Sequence, residues 1–251
     1  MLRYLESKFF LAFVVLFTNF LMTGQDYQFS QFNKAPLLIN PANAGMGKGY
    51  NRFNLIYHTQ HPTSNFVFQN FHFSADAPIF SHKMNSSRGY VGFGFHAFQE
   101  KSGNSFSKLD IGLTLSSYVN IDDNNQLSFG FQTDLIQQSI NTSSIQWASQ
   151  YSNSLGGYDA SINSGEFFYS NSLTSFNSAT GIFWKNTTQH INLSGIDVAS
   201  FQLGYGVFNL FKPKKISPLQ NDRTFVRHCI HGRGLFAIGE LKYGIAPQFL
   251  I

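Results

Sequence analysis

The chain has 251 residues, of which 17% are aromatic and only 12% charged, against roughly 25% charged in ordinary soluble domains. So much apolar surface excludes a disordered tail, because burying it offsets the entropy of ordering. A net charge of +4, thinly spread, builds no nucleic-acid-binding stripe, and a single cysteine, Cys229, excludes an internal disulfide and a cysteine-based zinc site.

Residues 1–24 read as a secretory signal peptide. Arg3 and Lys8 precede an apolar run from Phe9 to Met22, and Gly24 stands before polar Gln25-Asp26. The run is too short for a comfortable spanning helix, and no later stretch is long and apolar enough for one. Residues 25–50 form an N-terminal segment with two small motifs. Gln28-Phe29-Ser30-Gln31 is the first, and Asn40-Pro41-Ala42-Asn43-Ala44-Gly45 the second. In the second, Pro41 fixes its own φ, drives Asn40 towards extended backbone, and Gly45 permits a turn. A structural role is the expectation for these residues.

Residues 51–251 read as a β-barrel domain, because the pattern changes to period two. At 108–116, Leu109, Ile111, Leu113 and Leu115 alternate with Lys108, Asp110, Gly112, Thr114 and Ser116. The same split of oily and wet positions recurs at 91–97, 126–135, 201–207 and 240–245. Nine strands are expected, near 51–58, 65–75, 89–99, 106–120, 126–138, 178–186, 198–210, 224–238 and 240–250, with 165–169 as a tenth if the count is even. Asp122-Asp123-Asn124-Asn125 is a hairpin turn. The polar stretches 82–89 and 141–178 read as long loops on the opposite side from the short turns. Lys212-Pro213-Lys214-Lys215 reads as a solvated loop.

A soluble sandwich also alternates. Three features favour an all-β, antiparallel transmembrane β-barrel of the outer-membrane type. The segments reach about ten residues or more, near the 9 to 11 that a tilted spanning strand needs. The wet positions carry Gly, Ser, Thr, Gln and Asn with few charges, which suits a polar lumen. Tyr90, Tyr118 and Tyr205 stand near strand ends, where an interfacial girdle would lie. The glycines within strands read as sites of close backbone approach and barrel curvature.

Gln28-Phe29-Ser30-Gln31 and the N-P-A-x-A-G motif at Asn40, Pro41, Ala42, Ala44 and Gly45 resemble the start of the mature PorP/SprF family. Further echoes in family order are FSADAPI at 73–79, VGFGF at 91–95, LSFGFQTDLIQQSIN at 127–141 and QLGYGVFNLFKPK at 202–214. The resemblance covers nearly the whole mature chain. It implies an outer-membrane component of a type IX secretion or gliding motility system that assists secretion or surface retention of large exported proteins. The implied partners are other components of that machinery, exported surface adhesins and membrane lipid, with no nucleic acid. Family members extend further at the C-terminus, so the resemblance also implies a barrel incomplete or shortened at that end.

Catalytic chemistry is not expected. No G-x-S-x-G elbow and no phosphate-binding glycine motif occurs. His228 and His231 fall on opposite faces of a strand because their spacing is odd, and His58 with His61 reads as a loop pair before Pro62. No catalytic, cofactor-binding or metal residue is assigned, and no cofactor. The alternatives are a general outer-membrane porin or, further off, an outer-membrane hydrolase.

Overall fold

Alternating residues of two kinds give each strand one face suited to lipid or a dry partner and one suited to a polar interior. The computed structural model describes residues 32–46, 51–61, 67–79, 89–152, 156–168, 170–192, 195–217, 221–238 and 243–251, with backbone alone at 152, 189–192, 195–198, 236–238 and 243–245. The signal peptide and Gln28, Phe29, Ser30 and Gln31 therefore lie outside the described residues. No described helix is long and apolar enough to cross a membrane.

The strands are β1 (Arg52–Gln60), β2 (Phe68–Ile79), β3 (Gly89–Ser102), β4 (Phe106–Asn120), β5 (Asn125–Ile140), the short pair β6 (Tyr151–Ser152) and β7 (Gly157–Tyr158), then β8 (Ser172–Asn192), β9 (Gly195–Phe208), β10 (Arg227–Ile238), β11 (Tyr243–Ile245) and β12 (Gln248–Leu250). All but β6 and β7 join one antiparallel sheet in the order β1-β2-β3-β4-β5-β8-β9-β10-β11, with β12 also on β10. Among the described residues the sheet curls into a half-barrel of the β-barrel type, and its first and last strands are not paired with one another. β11 and β12 keep one register against β10, so they are a single ninth strand. It is interrupted at Pro247, which has no N–H to donate, although its carbonyl still accepts from Gly234 N.

The expected nine strands are all present, and most run longer than the reading of the sequence. β5 has 16 residues and β8 has 21, because Ser, Thr and Asn continue the ladder well past the apolar run. Residues 165–168 are not strand. Within the long polar segment it is Tyr151–Ser152 and Gly157–Tyr158 that pair. His58 also departs from the loop reading: it lies in β1 opposite Asn70, and only His61 stands beyond the strand. Gly89, at the end of the polar stretch 82–89, pairs with Val119 beside the 121–124 turn. That stretch therefore leads into the end of the sheet that carries this short turn, whereas 141–171 joins strands at the other end.

Alternation follows the expected parity. Leu113 and Phe129 are 51% and 57% exposed on the outer face, while Thr114 and Ser128 between them are 0% and 1% exposed. Burial on the wet face, with polar residues, is the opposite of a soluble protein, whose core takes the apolar side. Two tyrosines break the girdle expectation. Tyr90 and Tyr118 face inward, almost wholly buried, with rings stacked at 4.4 Å. Their parity is that of Gly92 and Ser116, so the inner face is where the pleat sends them. Tyr205 does face outward, where its hydroxyl and His228 Nδ1 share a hydrogen bond of 2.7 Å.

The basic loop at 212–215 lies between β9 and β10. The backbones of Lys214 and Arg223 form an isolated antiparallel β-bridge, and the Lys215 ammonium pairs with Asp222 at 3.3 Å.

Candidate functional site: an N-terminal plug on the inner face

What buries the wet face is the chain's own N-terminal segment. Pro36–Ile39 form one helical turn with Pro at its start, where a missing N–H costs nothing. Asn40 then takes extended backbone (φ −159, ψ 121) ahead of Pro41, and caps a second short turn, Pro41–Asn43, by accepting from Ala42 N at 2.9 Å. Gly45, at φ 68, turns the chain out towards β1. Ala35, Leu37, Asn40, Ala42 and Ala44 are at most 1% exposed. Leu37, Leu38 and Ile39 give the plug its apolar contribution, about 1.5–3 kcal/mol for each side chain fully buried.

The plug lies across the strands in a groove made by glycine. Gly92 on β3, Ser116 on β4, Gly130 on β5, Gly181 on β8 and Gly206 on β9 are successive partners in one row of the ladder. A Cβ at Gly92 would strike Ala44 O, at Gly130 Pro41 and Ala42, at Gly181 the Asn40 side chain, and at Gly206 Ile39 O. The strand glycines are therefore sites of close approach, by plug backbone at Gly92, Gly130 and Gly206 and by the Asn40 side chain at Gly181. Curvature is not needed to explain these four.

The plug's peptide groups are paired from the sheet, as buried backbone must be. Ser116 Oγ donates to Ala44 O at 2.6 Å, and Tyr118 OH and Ser128 Oγ both donate to Ala42 O, at 2.8 and 2.9 Å. Asn40 Nδ2 donates to Ile182 O at 2.8 Å and lies 3.2 Å from His231 Nε2, whose ring stacks on Phe183. Arg227, over the Phe208 ring, donates to Leu38 O at 3.0 Å. At the exit, Arg52 Nη2 donates to Asn43 O at 2.9 Å and Asp76 Oδ2 accepts from Gly45 N at 2.7 Å.

The structure thus brings Asn40, Pro41, Ala42, Ala44 and Gly45 together on the inner face. Of the residues that hold them, Arg52, Asp76, Ser128 and Arg227 were not singled out from sequence, Ser116 was read only as a wet position, and Tyr118 was assigned to the girdle. Their signal was parity: all six share the inward register with the glycines, Arg52 opposite Asp76, itself opposite Gly94, and Arg227 opposite Phe208, two residues on from Gly206. Tyr118 and Ser116 in particular stand where a lumen-facing hydroxyl needs a partner.

The family model for type IX secretion system membrane protein PorP/SprF matches residues 21–249, with the plug motif and every strand of the sheet up to Phe249 of β12 inside the match. The chain belongs to the PorP/SprF family. Family membership makes it a type IX secretion membrane component. No curated protein and no solved structure matches the chain.

Proposed function

We propose that this PorP/SprF protein sits in the bacterial outer membrane as a non-enzymatic component of a type IX secretion or gliding apparatus. It assists the secretion, or retention at the cell surface, of large exported proteins such as adhesins, in association with other parts of that machine. One observation carries the reading, the family match across residues 21–249. The outer face supports a lipid seat, with Leu113, Leu115, Phe129, Phe131 and Ile182 all exposed along strands long enough to span a membrane. A signal peptide at 1–24 fits export to that membrane.

The plug argues against the diffusion-porin alternative, which needs a free lumen where this chain lays residues 35–45 along the inner face. In our reading Asn40, Pro41, Ala42, Ala44 and Gly45 are architectural, fixing the plug, and Gln28, Phe29, Ser30 and Gln31 belong to the same motif-bearing stretch. The loop at 141–171 presents an Asn-, Ser- and Tyr-rich surface to partners.

Gene deletion followed by a census of surface proteins tests the proposal. Specific large exported proteins should vanish from the surface and return on complementation with the intact gene. An unchanged surface census with reduced uptake of small solutes would instead establish the porin alternative.

A further inference from the structure

Two ladder rows from the plug, the inner face carries a second constellation. His96 on β3, Gly112 on β4 and Asp134 on β5 are successive partners in one row, and Asp110 precedes Gly112 on the same face of β4. Adjacent strands lie about 4.8 Å apart, so side chains on β3 and β5 are ordinarily kept apart by the one between them. Gly112 removes that obstruction: a Cβ there would collide with the His96 ring and with Asp134 Oδ1. His96 Nε2 consequently lies 3.8 Å from Asp110 Oδ1 and 3.8 Å from Asp134 Oδ1. The three donor atoms fall within 4.8 Å of one another.

All three side chains are buried, His96 completely. Neither ring nitrogen of His96 has a hydrogen-bond partner among the described residues, and neither does Asp110 Oδ1. Buried polar atoms in native proteins are paired, and buried charges are paired or coordinate a metal. Asp134 is already oriented from behind. Gln132 Nε2 donates to its Oδ1 at 2.9 Å, and Gln132 Oε1 accepts from Thr114 Oγ1 at 3.0 Å. Such outer hydrogen bonds are what fixes a ligating carboxylate.

We propose that His96, Asp110 and Asp134 bind one divalent transition-metal ion of the Zn²⁺ class. One imidazole with two carboxylates suits such an ion and is unlike the all-oxygen sets of calcium and magnesium. Donors bound at about 2.1 Å in tetrahedral geometry stand about 3.4 Å apart, so the observed 3.8 Å separations need to close by only a few tenths of an ångström. The ion neutralises two buried aspartates and ties β3, β4 and β5 together, with its fourth position left to water. This inference goes beyond the secretion reading and stands independently of it.

The test uses the full mature chain refolded in detergent, stripped with a chelator and titrated with Zn²⁺ by calorimetry, with Co²⁺ as a spectroscopic substitute. One ion per folded chain, a raised unfolding temperature and the visible Co²⁺ absorption of a four-coordinate site are expected. Asp110→Asn and Asp134→Asn, which keep side-chain shape, and His96→Gln should each weaken binding by about a hundredfold or more. His228→Ala, at an exposed histidine outside the cluster, should leave it unchanged. If His96→Gln does not refold, the wild type and the two Asp→Asn variants decide. Folded wild type that takes up neither ion overturns the proposal. So does uptake that survives both Asp→Asn changes, or uptake lost only with His228→Ala.

Discussion

Arg52 and Asp76, directly opposite one another on β1 and β2, form a two-pronged ion pair, with Nε on Oδ1 and Nη2 on Oδ2, both at 2.9 Å. Each partner also holds the plug, Arg52 through Asn43 O and Asp76 through Gly45 N. The Asp76 side chain is 1% exposed. Removing its cation strands a buried carboxylate, so Arg52→Ala should cost about 3–5 kcal/mol. Urea unfolding in detergent measures it, and the double change with Asp76→Ala should cost less than the sum of the single ones.

The glycine row predicts where side chains are not tolerated. Gly130→Ala and Gly181→Ala each force the plug or the strand to move, and overpacking of this kind costs about 1–3 kcal/mol. Gly157→Ala, in the β6–β7 hairpin with open space around the new methyl, should be neutral. Limited proteolysis within 33–46 reads the difference: cleavage should quicken in the two strand variants and not in the hairpin variant.

Hydrogen bonds from sheet to plug grade the next expectation. Tyr118→Phe removes one donor from Ala42 O but leaves Ser128 in place, so its cost should be about 0.5–1.5 kcal/mol. Asn40→Ala should cost more, about 1–3 kcal/mol, because the Ala42 N–H and the Ile182 carbonyl lose their partner together. Equal losses at the two positions, measured by the same unfolding assay, would contradict this ranking.

The β4–β5 turn carries a pH dependence. The Asn125 side chain and the backbone N–H groups of Asn124 and Asn125 donate to Asp122, holding its carboxyl below the ordinary carboxylate range. Because the folded value is depressed, the turn's stabilisation is present above the ordinary carboxylate pKa and is lost as pH falls through the lower, folded one. A carboxyl titration followed by NMR should find Asp122 ionising below an unstructured Asp, with the amide shifts of Asn124 and Asn125 moving alongside. Asp122→Asn should abolish that response.

Much of this architecture was legible because alternation is local. Leu109 to Leu115 announce a two-faced strand without reference to any neighbour. The plug motif was legible as a stretch with fixed backbone, through Pro41 and Gly45, but not as to where it docks. That depends on the register that lines up Gly92, Gly130, Gly181 and Gly206, residues distant in sequence. The inward turn of Tyr90 and Tyr118 was within reach, since both share parity with Gly92 and Ser116. The habit of assigning tyrosines near strand ends to a girdle obscured it. His96, Asp110 and Asp134 all carry wet parity too, but their convergence over Gly112 needs three strands in register.

The central claim is that odd-numbered leucines and phenylalanines of β4 and β5 face lipid while their even-numbered neighbours face the plug. Single cysteines in a Cys229→Ser background, at Leu113, Leu115, Phe129 and Phe131 and at Thr114, Ser116, Ser128 and Gln132, can each carry a nitroxide in the protein reconstituted into bilayers. Collision with a lipid-soluble relaxant then reports which face meets hydrocarbon. The account predicts strong relaxation at the first four positions and little at the second four. Strong relaxation at the second set with protection of the first, or no alternation at all, would contradict it.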